Sequence, residues 1–194
     1  MKISNKKLLN VTKIIEKSQS NGPGIRAVIW FQGCNRHCRG CYNQEMWSFD
    51  KKELISPLNL FRKIQSIEDI EGITLTGGEP LLQASTLIDF LKLIRSTRLS
   101  VICFTGYELN EICKPEQLEI LKHIDILKTG NYNEELYEED LPLRGSSNQK
   151  LVFLTDRYSF ENIKQEQIFE IFISENKIQI TGFPPKNFLK EVFL

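Results

Sequence analysis

An excess of charge of either sign is missing from this chain: its 194 residues carry 25 basic and 25 acidic side chains. A general nucleic-acid binder normally shows a basic surplus, so that class is disfavoured. Long apolar runs are also missing. The longest, such as Ala27–Phe31 and Phe169–Ile173, are far too short to span a bilayer. The lysine-rich first ten residues lead into no apolar segment of the secretory kind. A cytoplasmic protein with no membrane association is therefore the expectation. No internal repeat, low-complexity tract or linker rich in Pro, Gly and Ser divides the chain, so a single domain over residues 1–194 is expected. Histidine is scarce, with only His37 and His123.

Cysteine is what the chain does have, in an arrangement that needs explaining. There are five, an odd number, and three of them (Cys34, Cys38 and Cys41) fall within eight residues. A disulfide framework suits small secreted chains, whereas clustered thiols in a reducing compartment point to metal. Three thiolates on one short loop anchor iron–sulfur clusters, and they also bind zinc. A closed zinc site needs a fourth ligand, for which His37, His123, Cys103 and Cys113 are the candidates. His37 makes a Cys3His zinc site the structural alternative, although a residue between two converging cysteines usually points away from the metal. Cys103 lies in the apolar run Val101–Phe104 and reads as a small buried hydrophobe. Cys113 has no thiol near it in sequence. Three thiolates without a fourth leave one coordination position open, as catalysis requires.

Around the loop, short β-like runs alternate with helix-like ones. Leu8–Glu16 and Ile25–Gln32 read as strands joined by the turn Ser20–Gly24, with the cysteine loop directly after the second. Ser56–Ser66 suggests a helix with Ser56 as N-cap and Pro57 at the first position. Gly72–Thr76 is a short strand stopped by Gly77-Gly-Glu-Pro80. Leu87, Ile88, Leu91 and Ile94 share one face of a helix over Ser85–Ser96. Leu99–Thr105 and Ile124–Lys128 read as strands with a helix, Pro115–His123, between them. A polar, acidic loop, Asn131–Glu139, follows. Further strands are expected at Lys150–Leu154 and Lys177–Thr181, with Phe160–Ser174 partly helical. This alternation implies βαβ units and an α/β fold with mainly parallel strands. The units are too few for a closed eight-stranded barrel, so an open, incomplete (β/α)6-type barrel is expected. Ligands of such sheets sit at the carboxyl ends of the strands. The cysteines, Gly77–Pro80, Thr105–Tyr107 and Lys128–Gly130 all follow strand ends.

In these segments the chain resembles the radical S-adenosylmethionine superfamily. Within it, the chain is most similar to the small activating enzymes of glycyl-radical proteins, particularly those of anaerobic ribonucleotide reductase. The resemblance rests on Gly22-Pro-Gly-Ile-Arg26, Gly33-Cys-Asn-Arg-His-Cys-Arg-Gly-Cys-Tyr-Asn43, Thr76-Gly-Gly-Glu-Pro80, Thr105-Gly-Tyr107 and Arg144-Gly-Ser-Ser-Asn-Gln149. It covers most of the chain in order. The cysteine loop and the Gly-Gly-Glu-Pro segment together are specific; each other motif alone is weak. An aromatic often precedes the third cysteine in the wider superfamily, whereas Gly40 stands there here, as in the reductase activases.

The resemblance implies that Cys34, Cys38 and Cys41 hold three irons of a [4Fe–4S] cluster whose fourth iron chelates S-adenosylmethionine. It implies that Gly77 and Gly78 let backbone approach that ligand, that Glu79 accepts from its ammonium, and that Gly40, Cys41 and Tyr42 meet its adenine. Lys128 would pair with the methionine carboxylate, and Asp125 reads as either a further contact or a solvated surface charge. Arg144–Gln149 would line the cofactor cleft or form a capped turn. No residue is assigned a catalytic role of its own, because the cofactor carries the chemistry. The partners implied are a glycyl-radical enzyme as protein substrate and a one-electron donor such as flavodoxin or ferredoxin. Two alternatives remain open at this point: a radical enzyme modifying a small molecule or peptide (a deazaguanine-forming one included), and a non-catalytic zinc-binding interaction module.

Overall fold

The computed structural model describes residues 7–164, 168–175, 177–185 and 188. Strand β1 (Leu9–Ser18) turns through Ser20–Gly24 into β2 (Arg26–Phe31). After the cysteine loop come a short β3 (Glu53–Ile55), helix α1 (Pro57–Gln65), β4 (Gly72–Gly77) and α2 (Ala84–Ile94). Then follow β5 (Ser100–Phe104), α3 (Pro115–Leu121), β6 (Ile126–Thr129) and β7 (Lys150–Phe153). A separate hairpin pairs β8 (Phe169–Ser174) with β9 (Lys177–Gly182).

Seven strands form one sheet in the order β3-β1-β2-β4-β5-β6-β7. Its centre, β2-β4-β5-β6, is parallel, while β1, β3 and β7 add antiparallel margins. The fold is thus mixed α/β with a mostly parallel central sheet. The described residues hold three α-helices, each in a crossover between neighbouring parallel strands, which is short of six units. Ser56 caps α1 as its sequence predicts, accepting from the Asn59 N–H, with Pro57 at the first position. Within Phe160–Ser174, expected to be partly helical, Phe160–Asn162 is a 3-10 turn and Phe169–Ser174 is a strand. The strand's apolar residues carry no period that separates a buried strand from a helix turn, and pairing with β9 decides the matter.

Period-2 alternation sends the two faces of the sheet to different partners. Ala27, Ile29 and Phe31 of β2, Ile73 and Leu75 of β4, Val101 and Cys103 of β5, and Leu127 of β6 pack beneath the three helices, against Leu60, Ile64, Leu87, Phe90, Leu91 and Ile120. The opposite face carries Val28 and Trp30, with Met46 and Phe172, and farther along Ile102, Phe104 and Ile126. Among the described residues none of the three α-helices contributes to these clusters. The β8–β9 hairpin lies over part of this second face, anchored by the Glu170 carboxylate, which accepts from the backbone N–H of Gln19 and Ser20 and from the Ser18 and Ser20 hydroxyls. The Asn21 amide donates to the Thr181 hydroxyl at 2.7 Å beside that anchor. No helix among the described residues is long and apolar enough to cross a membrane.

Arg26 shows how fully the amino-terminal end of this second face is filled. Its side chain is completely buried, no carboxylate among the described residues pairs with it, and the guanidinium donates to Thr74 Oγ1, the Pro23, Ile73 and Ser100 carbonyls, and Ser100 Oγ. Desolvation lowers its pKa to about 10. Gly72 makes the room: a Cβ there would sit 2.6 Å from both terminal guanidinium nitrogens. The motif Gly22–Arg26 therefore serves the fold at the end of the sheet away from the cysteines.

Candidate functional site

At the carboxyl ends of β2, β4, β5 and β6 a cavity of about 660 Å³ opens between the sheet and the hairpin. Parallel strands bring their ends to one side, so residues far apart in sequence meet there. Cys34, Cys38 and Cys41 line it, together with Tyr42, Gly77, Gly78, Glu79 and Lys128.

The cysteine loop is held by backbone. Gly33 N donates to Met46 O, Cys34 N to Trp47 O and Cys41 N to Cys38 O. Backbone N–H groups of Arg36 and Asn43 donate to the Cys34 and Cys41 sulfurs, each at 3.4 Å. Burial pushes both thiols up, and these N–H groups work against it. The buried indole N–H of Trp47 has no hydrogen-bond partner of normal length among the described residues, and it too favours the Cys41 thiolate. Donors aimed at sulfur suit thiolates that bind metal.

His37 turns away, its ring packed on Trp47 at 4.9 Å between centroids. Cys103 is wholly buried on the helix-covered face and Cys113 is exposed, so neither joins the loop. Three thiols on one loop line one cavity, with backbone N–H groups aimed at two of the sulfurs and no histidine beside them, and this donor set fits a cluster with three protein ligands.

Gly77 and Gly78, which line the cavity, also bring two stretches of backbone together. A Cβ on Gly78 would lie 2.4 Å from Gly33 O, and one on Gly77, at φ +99°, 2.6 Å from Phe31 N. What comes close is the start of the cysteine loop itself. Gly78 N donates to Phe31 O and Glu79 N to Gly33 O, so the two motifs are stitched together. Glu79 is buried and accepts from Leu81 N and Thr105 Oγ1 through Oε1 and from Gly106 N through Oε2. Desolvation raises its pKa and these three donors oppose the rise. It therefore ties the end of β4 to the end of β5, which explains Thr105-Gly-Tyr107.

The other expected residues divide. Lys128 is half-buried, its ammonium 5.0 Å from the Phe104 ring centroid, and burial holds its pKa below the ordinary lysine value against the opposing pull of Glu79 and the thiols. Tyr42 stands at the cavity with its hydroxyl donating to Pro184 O, and burial beside Tyr132, Tyr137 and Glu134 pushes its pKa to about 12. Gly40 is not among the lining residues: at φ +76° it makes the turn between two cysteines and packs against the Glu134 side chain. Asp125 is neither a cavity contact nor a solvated charge. Buried at the amino-terminal end of β6, it pairs with Arg95 at 3.1 Å and accepts from Val101 N and Thr155 Oγ1. Arg144–Gln149 does both things open to it. Gln149 closes the turn onto Gly145 N and Gly130 O, while Gly145 and Gln149 line the cavity.

Sequence reasoning passes over Thr12, Lys13, Trp30, Arg36 and Tyr132, along with residues 178–184 of the hairpin, all of them lining the cavity. A register shift between Val11 and Lys13 turns Thr12 and Lys13 to it, and nothing in the local pattern announces a bulge. Arg36 alone had a signal, its place between two of the cysteines.

Residues 20–152 match the family described as a 4Fe-4S single cluster domain. The anaerobic ribonucleoside-triphosphate reductase-activating protein of Enterobacteria phage T4 is 35% identical over 76% of this chain and 96% of its own length. The proteins of the same name from Haemophilus influenzae and Escherichia coli K12 are 35% and 33% identical, each over 66% of this chain and 88% of their own. Among solved structures, QueE from Escherichia coli aligns over 51% of this chain and 53% of that one at 16% identity and a TM-score of 0.44, too distant to bear on fold or chemistry. The profile match and the identities agree with the three-thiol cavity, and the chain belongs to the 4Fe-4S single cluster domain family, among the anaerobic ribonucleoside-triphosphate reductase-activating proteins.

Proposed function

We propose that this chain is an iron–sulfur enzyme that cleaves S-adenosylmethionine reductively in order to generate a glycyl radical on a partner, for which the relatives' names support anaerobic ribonucleoside-triphosphate reductase. The observation that carries this reading is the meeting of Cys34, Cys38 and Cys41 with Gly77, Gly78, Glu79 and Lys128 around one cavity. A [4Fe–4S] cluster held by the three cysteines supplies, when bound and reduced, the electron that breaks the sulfonium C–S bond, leaving methionine and a 5′-deoxyadenosyl radical able to take hydrogen from a glycine Cα.

The protein's own part is to bind, orient and exclude. Glu79 Oε2 accepts one N–H from the protein, which leaves it capacity for the methionyl ammonium. Lys128 supplies a cation for the methionyl carboxylate. Trp30, Tyr42 and Phe104 line the same cavity and offer aromatic surface to the adenine. The hairpin over the second face keeps water from the radical. The electron comes from an external donor such as flavodoxin or ferredoxin. In the same reading the whole chain acts as one domain in the cytoplasm, and its four parallel strands with their three crossover helices form part of an open, incomplete (β/α)6-type barrel.

The test is anaerobic reconstitution with iron and sulfide, then dithionite and S-adenosylmethionine, with 5′-deoxyadenosine measured by mass. Product that disappears in Cys34→Ala, Cys38→Ala and Cys41→Ala is the expected result. Absence of product from protein that holds zinc tightly would overturn the reading.

A further inference from the structure

Within the cysteine loop, Arg36 is bound to more of the protein than either cysteine beside it. Its two terminal nitrogens pair with the two Glu111 carboxylate oxygens, each at 3.0 Å, a bidentate fork. Nε donates to Asn131 Oδ1 at 2.7 Å, and the guanidinium carbon lies 4.8 Å from the centroid of the Tyr107 ring. The side chain is only 17% exposed. Asn35 Nδ2 reaches the Tyr107 hydroxyl at 3.3 Å, so two consecutive loop residues grip the same aromatic.

These partners come from separate places. Tyr107 and Glu111 follow β5 and Asn131 follows β6, whereas the loop follows β2. Gly106 lets the side chain cross between them: a Cβ there would sit 2.9 Å from both Arg36 Cγ and Asn131 Oδ1. The Cys38 thiol donates to Asn131 Oδ1 at 3.6 Å, a bond that lasts until the sulfur gives up its proton to bind metal. A guanidinium only donates, so Arg36 settles which end of the Asn131 amide faces that sulfur.

We propose that Arg36 is a positioning residue that sets the Cys34–Cys38 segment in its metal-binding conformation, with Glu111 and Tyr107 as its anchors. This rests on the cluster reading above. Apart from the Cys41–Cys38 backbone bond and the His37 ring against Trp47, the loop is held by backbone bonds at its edges, which leaves the stretch between Cys34 and Cys38 in need of a further anchor. The fork, the ring and the amide fasten the middle of the loop to the ends of two more parallel strands.

The experiment compares parent protein with Arg36→Lys, Arg36→Ala and Glu111→Gln, each reconstituted anaerobically with iron and sulfide. Three things are read: release of iron to a chelator, the electron paramagnetic resonance spectrum of the reduced protein without S-adenosylmethionine, and melting of the metal-free chain. Expected is iron release about tenfold faster in Arg36→Ala and Glu111→Gln, with altered g-values. Arg36→Lys should fail to rescue, because an ammonium keeps the charge and loses the fork. Glu111 is on the surface, so its variant folds even where Arg36→Ala does not. Release and spectra indistinguishable from the parent in Glu111→Gln and Arg36→Lys would overturn the proposal while leaving the cluster in place. A parent chain that takes up no iron would overturn the cluster reading itself.

Discussion

Gly78 meets the carbonyl oxygen of Gly33 so closely that a Cβ on it would lie 2.4 Å away, with the Met46 carbonyl at 3.1 Å behind. The contact is backbone against backbone, which no rotamer change relieves. Gly78→Ala should therefore destabilise the metal-free protein by about 1–3 kcal/mol, the usual range for overpacking. Iron uptake should suffer as well, because Gly33 opens the cysteine loop. Urea denaturation of the metal-free chain, followed by iron analysis after reconstitution, checks both. A fully stable variant would mean that the two segments can part without cost.

The Glu79 carboxylate offers a second point of attack. Glu79→Gln replaces one accepting oxygen by an NH2 group that would confront either the Gly106 N–H or the Leu81 and Thr105 donors. A buried donor without an acceptor costs about 1–3 kcal/mol. The variant should lose that stability before any ligand is added, which separates a supporting role from a purely ligand-binding one. Thr105→Val should give a smaller loss of the same sign, measurable in the same denaturation series.

How much of this was legible in advance follows from which interactions are local. The ends of β2, β4, β5 and β6 were readable because glycines and cysteines punctuate them, and a parallel sheet gathers such ends without further instruction. Helix α1 was readable through Ser56 and Pro57. Asp125 was misjudged since its partners, Arg95 and Thr155, lie 30 residues away on either side. β7 was found as a strand, but nothing in Lys150–Leu154 states that it runs antiparallel to β6. A sequence shows that Gly77 and Gly78 lack side chains but not what lies against them, so their contact with the Phe31 and Gly33 backbone was not readable.

Glu111 provides a test in pH. The Glu108 backbone N–H and the Arg36 guanidinium hold its carboxyl below the usual carboxylate range. A group depressed in the folded state contributes stability above its unfolded value and loses it as pH falls through the folded one. The metal-free protein should thus lose the contribution of this contact only on the acid side of the carboxylate range. Glu111→Gln should flatten that part of the melting-temperature profile by lowering stability slightly at neutral pH, as expected of a half-exposed ion pair, while parent and variant converge in acid, where Glu111 is protonated.

Glu170 predicts a local effect. Its carboxylate gathers four donor groups from residues 18–20, and Glu170→Ala removes all of those bonds. Hydrogen exchange should quicken in β8 and β9 while the seven-stranded sheet keeps its protection, since the hairpin is a separate sheet. Equal quickening across β2 and β4 would show that the hairpin supports the whole fold.

The hairpin also has a place in time. Residues 178–184 wall the cavity, yet they are made after every strand that brings the cysteines and the glycines together. The walls of the cavity thus come from two stretches of chain, and the order of synthesis makes the loop of three thiols before the strands that face it.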